Sequence, residues 1–310
     1  MKQIWAVGGG KGGVGKSFFT SNLGVFLAEK GYRVVLADMD LGGANLHTWL
    51  GVNNPERGIS EFVAHQVERI DQLLLNTTIP RLKLISGARD GVEIANLKHT
   101  QKLRFIRALK KLQADYVLLD LGAGTAYNTI DFFLLADTQL LVVVPEPTSI
   151  ENAYRFIKNS FYRQLRHQSD TAGMRDLVND MLRVDNPYGI RTPKELIAHL
   201  RQRGGEFARF IDFQVESFCP QMVLNQVRNQ NDIRIGAAME NACQKYFGLK
   251  LRFLGHIEHD EVVWQSVLQR RPVLLDHPQS AAASRLMIVG NKLLGKSANQ
   301  ELRSESMVLP

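Results

Sequence analysis

A glycine-rich stretch near the start of the chain combines the residue types that bind phosphates. It spans Gly8–Ser17 and reads Gly-Gly-Gly-Lys-Gly-Gly-Val-Gly-Lys-Ser. Its core, Gly10-x-x-x-x-Gly15-Lys16-Ser17, fits the loop in which backbone N–H groups cradle phosphates, a lysine reaches the β- and γ-phosphates and a hydroxyl binds Mg²⁺. Glycine lets the amides approach closely, and the N-terminus of a following helix adds partial positive charge. The stretch therefore predicts a nucleotide site.

Acidic residues follow two apolar runs that are typical of buried strands. Asp38 and Asp40 follow the run 33–37, and Asp120 ends the run 115–120. Because open α/β sheets bind ligands at the carboxyl ends of their strands, we expect these carboxylates near the phosphate loop. Asp120 followed by Leu-Gly-Ala-Gly124 has the form of a Walker B aspartate with a glycine turn that senses the γ-phosphate.

The elements that must position these residues alternate along the chain. Strand candidates lie at 4–7, 33–37, 82–86, 115–120, 140–144, 221–227 and 251–257. Helical patterns follow most of them; one begins near Phe18, and another is expected to be capped by Ser149. Alternation of this kind predicts an α/β fold, a doubly wound, mostly parallel sheet of the P-loop NTPase type in three α/β/α layers.

One polar segment interrupts this alternation. Residues 163–213 hold nine Lys/Arg against seven Asp/Glu and contain Pro187 and Pro193. We predict one P-loop ATPase domain over 1–295, interrupted by a helical insertion at about 163–213, and a polar tail at 296–310.

Composition and residue spacing argue against a membrane-spanning protein and against a CxxC metal or redox site. The 310 residues are 45% hydrophobic, which is enough for a sizeable core. No apolar run approaches the ~18 residues of a membrane-spanning helix, and Met1-Lys2 leads straight into the first strand, so we expect a cytoplasmic protein. Cys219 and Cys243 lie too far apart for a CxxC motif. The net charge of +7 permits attraction to nucleic acid or an anionic membrane without requiring it.

A basic run lies on a predicted helix over 101–113. It holds no acidic residue, and apolar residues at helical spacing mark the opposite face. The run consists of Lys98, Lys102, Arg104, Arg107, Lys110 and Lys111. We interpret it as the solvated outer face of a helix on the sheet, with a DNA or lipid surface as the alternative.

Read together, the loop, the acidic strand ends and the turn Pro145-Glu146-Pro147-Thr148-Ser149-Ile150 resemble one family. The chain is similar to the MinD/ParA ATPases, whose deviant Walker A loop carries an additional lysine, here Lys11. Within that family it most resembles the FlhG (FleN) group, the MinD-like regulators of flagellar number. The resemblance covers residues 1–162 and 221–294.

The resemblance implies ATP or ADP with Mg²⁺ and a role for each matching residue. Lys16 would bind the β- and γ-phosphates, Lys11 would reach the phosphates of a partner subunit in a face-to-face dimer, and Asp40 would orient the attacking water. Ser17, Asp38 and Asp120 would hold Mg²⁺, the two carboxylates through its water shell. Further nucleotide contacts are expected from Gly10, Gly12, Gly13, Val14, Gly15, Phe18, Gly124, Glu146, Asn225 and Asp260, with Asn225 and Asp260 at the adenine.

Two functions are compatible with these features. The first is a slow, partner-stimulated ATPase that dimerises with Mg-ATP, is reset by hydrolysis and positions a cell structure, such as a flagellum or a division site. The second is a ParA-like partition ATPase that binds DNA non-specifically in its ATP state. An iron-sulfur carrier of the Mrp type would need paired cysteines, so no cluster is expected. A metabolic kinase or ligase would need a substrate motif, and none is visible.

The expected partners are a second copy of the chain when ATP is bound and an unidentified protein activator. DNA or transient contact with a membrane or cell pole are further expectations. Three features depart from the family pattern. The segment 163–213 is additional, Ile257-Glu258-His259-Asp260 replaces the usual Ile-Pro-x-Asp turn, and the tail after Leu294 lacks an amphipathic membrane-targeting helix.

Overall fold

A computed structural model describes residues 2–40, 43–53, 55, 57–87, 99–169 and 171–295. Eight strands of this part form one sheet. The strands are β1 (Gln3–Gly8), β2 (Val34–Met39), β3 (Leu75–Asn76), β4 (Leu82–Ile85), β5 (Tyr116–Leu121), β6 (Thr138–Val143), β7 (Gln221–Val227) and β8 (Arg252–Glu258). Their order in the sheet is β3-β4-β2-β5-β1-β6-β7-β8.

All strand pairs are parallel except β3 with β4, so the sheet is mostly parallel as predicted. Central strands are buried on both faces and therefore consist of continuous apolar residues. The register of β2 and β5 pairs Asp38 with Asp120. The predicted approach of these carboxylates follows directly from that register.

Helices cover both faces of the sheet and complete the predicted three layers. The helices are α1 (Lys16–Glu29), α2 (Leu46–Trp49), α3 (Ile59–Val63), α4 (His99–Leu109), α5 (Tyr127–Leu135), α6 (Pro147–Gln168), α7 (Ala172–Met181), α8 (Pro193–Arg203), α9 (Gly205–Ser217), α10 (Gln230–Ala242), α11 (Glu261–Gln269), α12 (Val273–Asp276) and α13 (Ala281–Leu293). One hydrophobic cluster contains residues of α1, α12 and α13, and the other contains residues of α4 to α9.

The segment predicted as an insertion contains α7, α8 and most of α9. Both of its predicted limits fall inside helices, because α6 continues to Gln168 and α9 to Ser217. Thr192 and Glu195 form a capping box that starts α8 at Pro193. The predicted tail at 296–310 lies outside the described residues.

One detail of the helix predictions is wrong. Ser149 does not cap α6, because Pro147 occupies the first helical position and its fixed φ moves the N-cap to Glu146, three residues earlier. The Ser149 hydroxyl instead accepts a hydrogen bond from the Val144 N–H at 3.1 Å. The helix expected near Phe18 is α1, which begins at Lys16.

The basic run on α4 is also not one solvated face. Lys102 is buried, and its Nζ lies 2.6 Å from Asp131 Oδ2 on α5. The other described cations of the run are at least partly accessible, and Lys98 lies outside the described residues. None of the helices in the described ranges has the length and apolar character required to cross a membrane.

Candidate nucleotide site

The glycine loop connects the end of β1 to the start of α1. The first N–H groups of a helix have no partner inside it, and here they belong to Lys16, Ser17 and Phe18. The next amide, that of Phe19, already donates to the Gly15 carbonyl at 2.9 Å. The loop therefore presents free amides and the positive end of the α1 dipole to the same point.

Two glycines of the loop are required by close contacts. A Cβ at Gly10 would lie 2.3 Å from the Asn152 carbonyl oxygen on α6. A Cβ at Gly15 would lie 2.2 Å from Asn225 Nδ2, and Gly15 also has a φ of 93°. Such φ values favour glycine. No atom lies within 4 Å of the Cβ position at Gly12, so that side of the loop is open.

Asp38 and Asp120 lie side by side and buried beneath the loop. Asp38 accepts hydrogen bonds from the Asp40 N–H at 3.1 Å and from the Leu46 N–H at 2.9 Å. Asp120 accepts one from the Thr20 hydroxyl at 3.1 Å.

Burial raises the pKa of both carboxyls in this pair. The neighbouring Asp120 charge raises the pKa of Asp38 further. Hydrogen bonding to Ser17 and the nearby Lys16 charge act in the opposite direction on the pKa of Asp120. Carboxylate and hydroxyl oxygens suit Mg²⁺, and a divalent cation would relieve the repulsion between the two acids. Ser17, Asp38 and Asp120 therefore fit a magnesium ion.

Asp40 lies against the glycine turn that follows β5. A Cβ at Gly122 would lie 3.3 Å from Asp40 Oδ1. The N–H of Gly124, two residues further along the turn, donates to the Gly9 carbonyl at 3.1 Å. The fold thus brings Asp40, the glycine turn and the phosphate loop together.

Lys11 is held at the start of α6. Its Nζ lies 3.1 Å from Glu146 Oε2 and 3.2 Å from the Thr148 hydroxyl. The Lys11 side chain is 41% exposed, whereas Lys16 is buried. The two lysines of the loop therefore occupy different environments.

The remaining predicted residues support the loop or nearby helices. Asn225 is buried and donates to the Val14 carbonyl at 2.9 Å. Asp260 accepts from the N–H groups of Val262 at 3.2 Å and Ala282 at 3.2 Å, which joins α11 to α13. The Phe18 ring packs against Trp49 with 5.9 Å between centroids. Adenine contacts by Asn225 and Asp260 stay predictions.

Comparison with known proteins identifies the family. A profile of the CobQ/CobB/MinD/ParA nucleotide-binding domain matches residues 5–273. The chain belongs to this family. It is a nucleotide-binding P-loop ATPase of the MinD type, and the resemblance seen in the sequence is confirmed.

Among relatives of this MinD/ParA-type ATPase, the antiactivator FleN of Pseudomonas aeruginosa is 28% identical over 94% of this chain and 86% of FleN. The flagellum site-determining protein YlxH of Helicobacter pylori is 34% identical over 49% of this chain and 52% of YlxH. The septum site-determining protein MinD of Pyrococcus horikoshii, solved with Mg-ADP, has a TM-score of 0.63. It covers 94% of this chain and 96% of that MinD at 21% identity, which supports the shared fold.

Sequence reasoning missed two polar residues of the site. Thr20 is fully buried and bonds Asp120, and Thr148 bonds Lys11. The available signal for Thr20 was a polar residue one helical turn after Lys16. Thr148 gives no such signal, because its contact depends on the packing of α6 against the loop.

Proposed function

We propose that this MinD/ParA-type ATPase is a Mg-ATP-driven dimerisation switch that positions a cell structure and is reset by hydrolysis. ATP or ADP and Mg²⁺ are its nucleotide and metal. The names of YlxH and MinD favour a site-determining role, and the flagellum, named for YlxH, is the structure we infer. A second copy of the chain is the proposed partner in the ATP state, and a further protein would stimulate slow hydrolysis.

The observation that carries the proposal is the placement of Lys11. Its ammonium bonds Glu146 and Thr148 on the exposed surface, away from the buried Lys16. An exposed ion pair of this kind is worth only about 0–1 kcal/mol, so the lysine can exchange it for phosphate at little cost. This supports a role for Lys11 in the site of a facing subunit.

The chain's own residues would divide the work of phosphoryl transfer. Lys16 and the α1 amides bind and neutralise the phosphates, and Ser17, Asp38 and Asp120 hold the metal. When bound, Mg²⁺ stabilises the charge on the phosphate oxygens. Asp40 orients the attacking water beside the glycine turn. The Gly124 N–H would exchange the Gly9 carbonyl for a γ-phosphate oxygen and so report which nucleotide is present.

A switch of this kind requires differential affinity. ATP can drive dimerisation only if it binds the dimer more tightly than the monomer. A γ-phosphate contacted by Lys11 of a facing subunit would supply that difference, because ADP lacks the group. We also propose that residues 1–295 act as one ATPase domain whose additional helices over 163–213 form a surface for partner contacts.

The cellular role is tested by deleting the gene and counting flagella by electron microscopy. We expect abnormal flagellar number or placement, restored by the wild-type gene but by neither Lys16→Ala nor Asp40→Ala. Normal flagella together with unequal inheritance of DNA would contradict the flagellar output and favour the partition function.

A further inference from the structure

A groove with a volume of about 1070 Å³ lies beside the β3–β4 edge of the sheet. One wall is formed by α4, and the other by residues 68–83 around β3 and the start of β4. Arg33 and Ala114, at the amino ends of β2 and β5, also line it. We call it the edge groove. It is separate from the nucleotide site, whose residues lie at the carboxyl ends of the strands.

The edge groove carries cations that the fold does not use. Within the described part of the chain, Arg81, Lys83, Arg107 and Lys111 line it without a carboxylate partner. Its acidic residues are Glu68 and Asp71, and Asp71 is paired with Arg69. Because unpaired cations repel one another in a concave site, the groove favours an anionic occupant.

Three cations lie along the wall that contains α4. Arg104 and Arg107 lie three residues apart on α4, and Lys111 lies in the turn that follows the helix. The Arg104 guanidinium lies 4.5 Å from the centre of the Phe62 ring and bonds the His65 ring. The wall therefore carries a row of positive groups.

Apolar side chains lie between the two charged walls. Leu74 and Ala108 are half-buried and Pro80 is exposed, and all three line the groove above core residues such as Phe62 and Ile70. A ligand made only of phosphates or carboxylates would leave this apolar surface uncovered. The combination of a basic rim and an apolar floor suits a segment that carries both acidic and apolar side chains, as in helix-in-groove recognition.

We propose that the edge groove binds an acidic, amphipathic segment of a partner protein in both nucleotide states. The unpaired cations require a segment with negative charge, because opposite charges complement one another across an interface. The apolar floor requires that the segment also carry apolar side chains. Nucleic acid fits less well, because its phosphates would pair with the cations of the groove and leave the apolar floor uncovered. This inference rests on the proposed function and adds the chemistry of one partner protein. Its test measures peptide binding and does not require ATP-driven dimerisation.

The test uses the full chain and a short fluorescein-labelled peptide of glutamate and leucine at helical spacing. Fluorescence anisotropy measures its binding with ADP, with Mg-ATP and without nucleotide. The site variant is Arg107→Glu with Lys111→Glu. The matched control is Arg209→Glu with Arg234→Glu, which makes the same charge change at exposed positions of α9 and α10. A labelled duplex DNA and an all-glutamate peptide serve as competing probes.

We expect saturable binding of the glutamate–leucine peptide that is equal in all nucleotide states. The site variant should weaken it roughly tenfold or more, since reversed charges then face the acidic ligand, and the control should weaken it less than about twofold. The all-glutamate peptide should bind more weakly, because it leaves the floor exposed.

Several results would overturn the proposal. One is the absence of saturable peptide binding, and a second is an equal loss of peptide affinity in the site variant and the control. A third is tighter binding of duplex DNA than of the peptide, abolished by the site variant. Peptide binding only with Mg-ATP would also overturn it, since the groove lies away from the nucleotide. Failure of ATP-dependent dimerisation would contradict the proposed switch, but it would not change the outcome of the peptide-binding test.

Discussion

Replacement of Asp131 by asparagine tests the buried charge cluster that joins α4, α5 and α6. The Asp131 side chain is 2% exposed and accepts hydrogen bonds from Lys102 at 2.6 Å and from Arg163 at 2.7 and 3.0 Å. His167 Nε2 lies 3.3 Å away. Asp131 lies one turn into α5, and its contacts tie this helix to α4 and α6.

The stability lost in Asp131→Asn depends on how deeply the cations that lose their partner are buried. Lys102 is only 4% exposed, so it would be left buried beside a neutral group, whereas Arg163 is 24% exposed and can reach water. Breaking a buried ion pair costs about 3–5 kcal/mol. Since the asparagine oxygen still accepts one hydrogen bond, we expect a loss of about 3 kcal/mol. This is a large share of the roughly 5–15 kcal/mol of a typical domain.

Urea unfolding followed by circular dichroism measures this loss. The control is the double variant Asp131→Asn with Lys102→Met, which removes both buried charges at similar volume and should recover most of the stability. The reasoning would be refuted by a loss below about 1 kcal/mol in the single variant, or by a double variant that is as unstable as the single one.

Acid should affect wild type and variant differently. Burial alone would raise the pKa of Asp131, but hydrogen bonds from His167, Arg163 and Lys102 hold it well below its usual range. A carboxyl with a lowered folded pKa stabilises the fold above its unfolded pKa of about 3.9 and loses that stabilisation as the pH falls further. Wild type should therefore lose more stability than Asp131→Asn below about pH 4. Parallel pH profiles would contradict this assignment.

Two further substitutions test the loop and its support. Gly10→Ala places a Cβ 2.3 Å from the Asn152 carbonyl oxygen, so it should lower stability by about 1–3 kcal/mol and weaken Mg-ATP binding. Gly12→Ala meets no atom within 4 Å and should leave stability unchanged. Thermal unfolding and nucleotide titration compare the two, and equal behaviour would contradict the packing argument. Thr20→Val removes the bond to Asp120 and should cost about 1–2 kcal/mol, whereas Thr20→Ser should retain most of it. Equal stability of both Thr20 variants in urea would show that the hydroxyl contributes nothing.

The sequence was sufficient for features that depend on local patterns. The predicted strand 221–227 matches β7 residue for residue, with the apolar run 222–224 inside it. The proximity of Asp38 and Asp120 followed from a general rule about strand ends. Both predictions needed only local information and the order of the elements.

Features that depend on packing between distant elements were not predictable. Lys102 was grouped with a solvated basic face, yet its partner Asp131 lies 29 residues away on another helix. Ser149 was expected to cap α6, but the chain turns earlier at Pro147. The edge groove arises from the approach of α4 to residues 68–83, and nothing in the basic run itself indicated a concave surface.

The most direct test of the proposed switch is the mass of Asp40→Ala in solution with saturating Mg-ATP. Light scattering coupled to size exclusion reports it against a chain mass of 34.9 kDa. Because this variant should bind ATP without hydrolysing it, we expect twice the chain mass with Mg-ATP and the single-chain mass with ADP. Adding Lys11→Ala should return the variant to the single-chain mass. If Asp40→Ala stays at 34.9 kDa in Mg-ATP while nucleotide binding is intact, ATP-driven dimerisation is wrong for this chain.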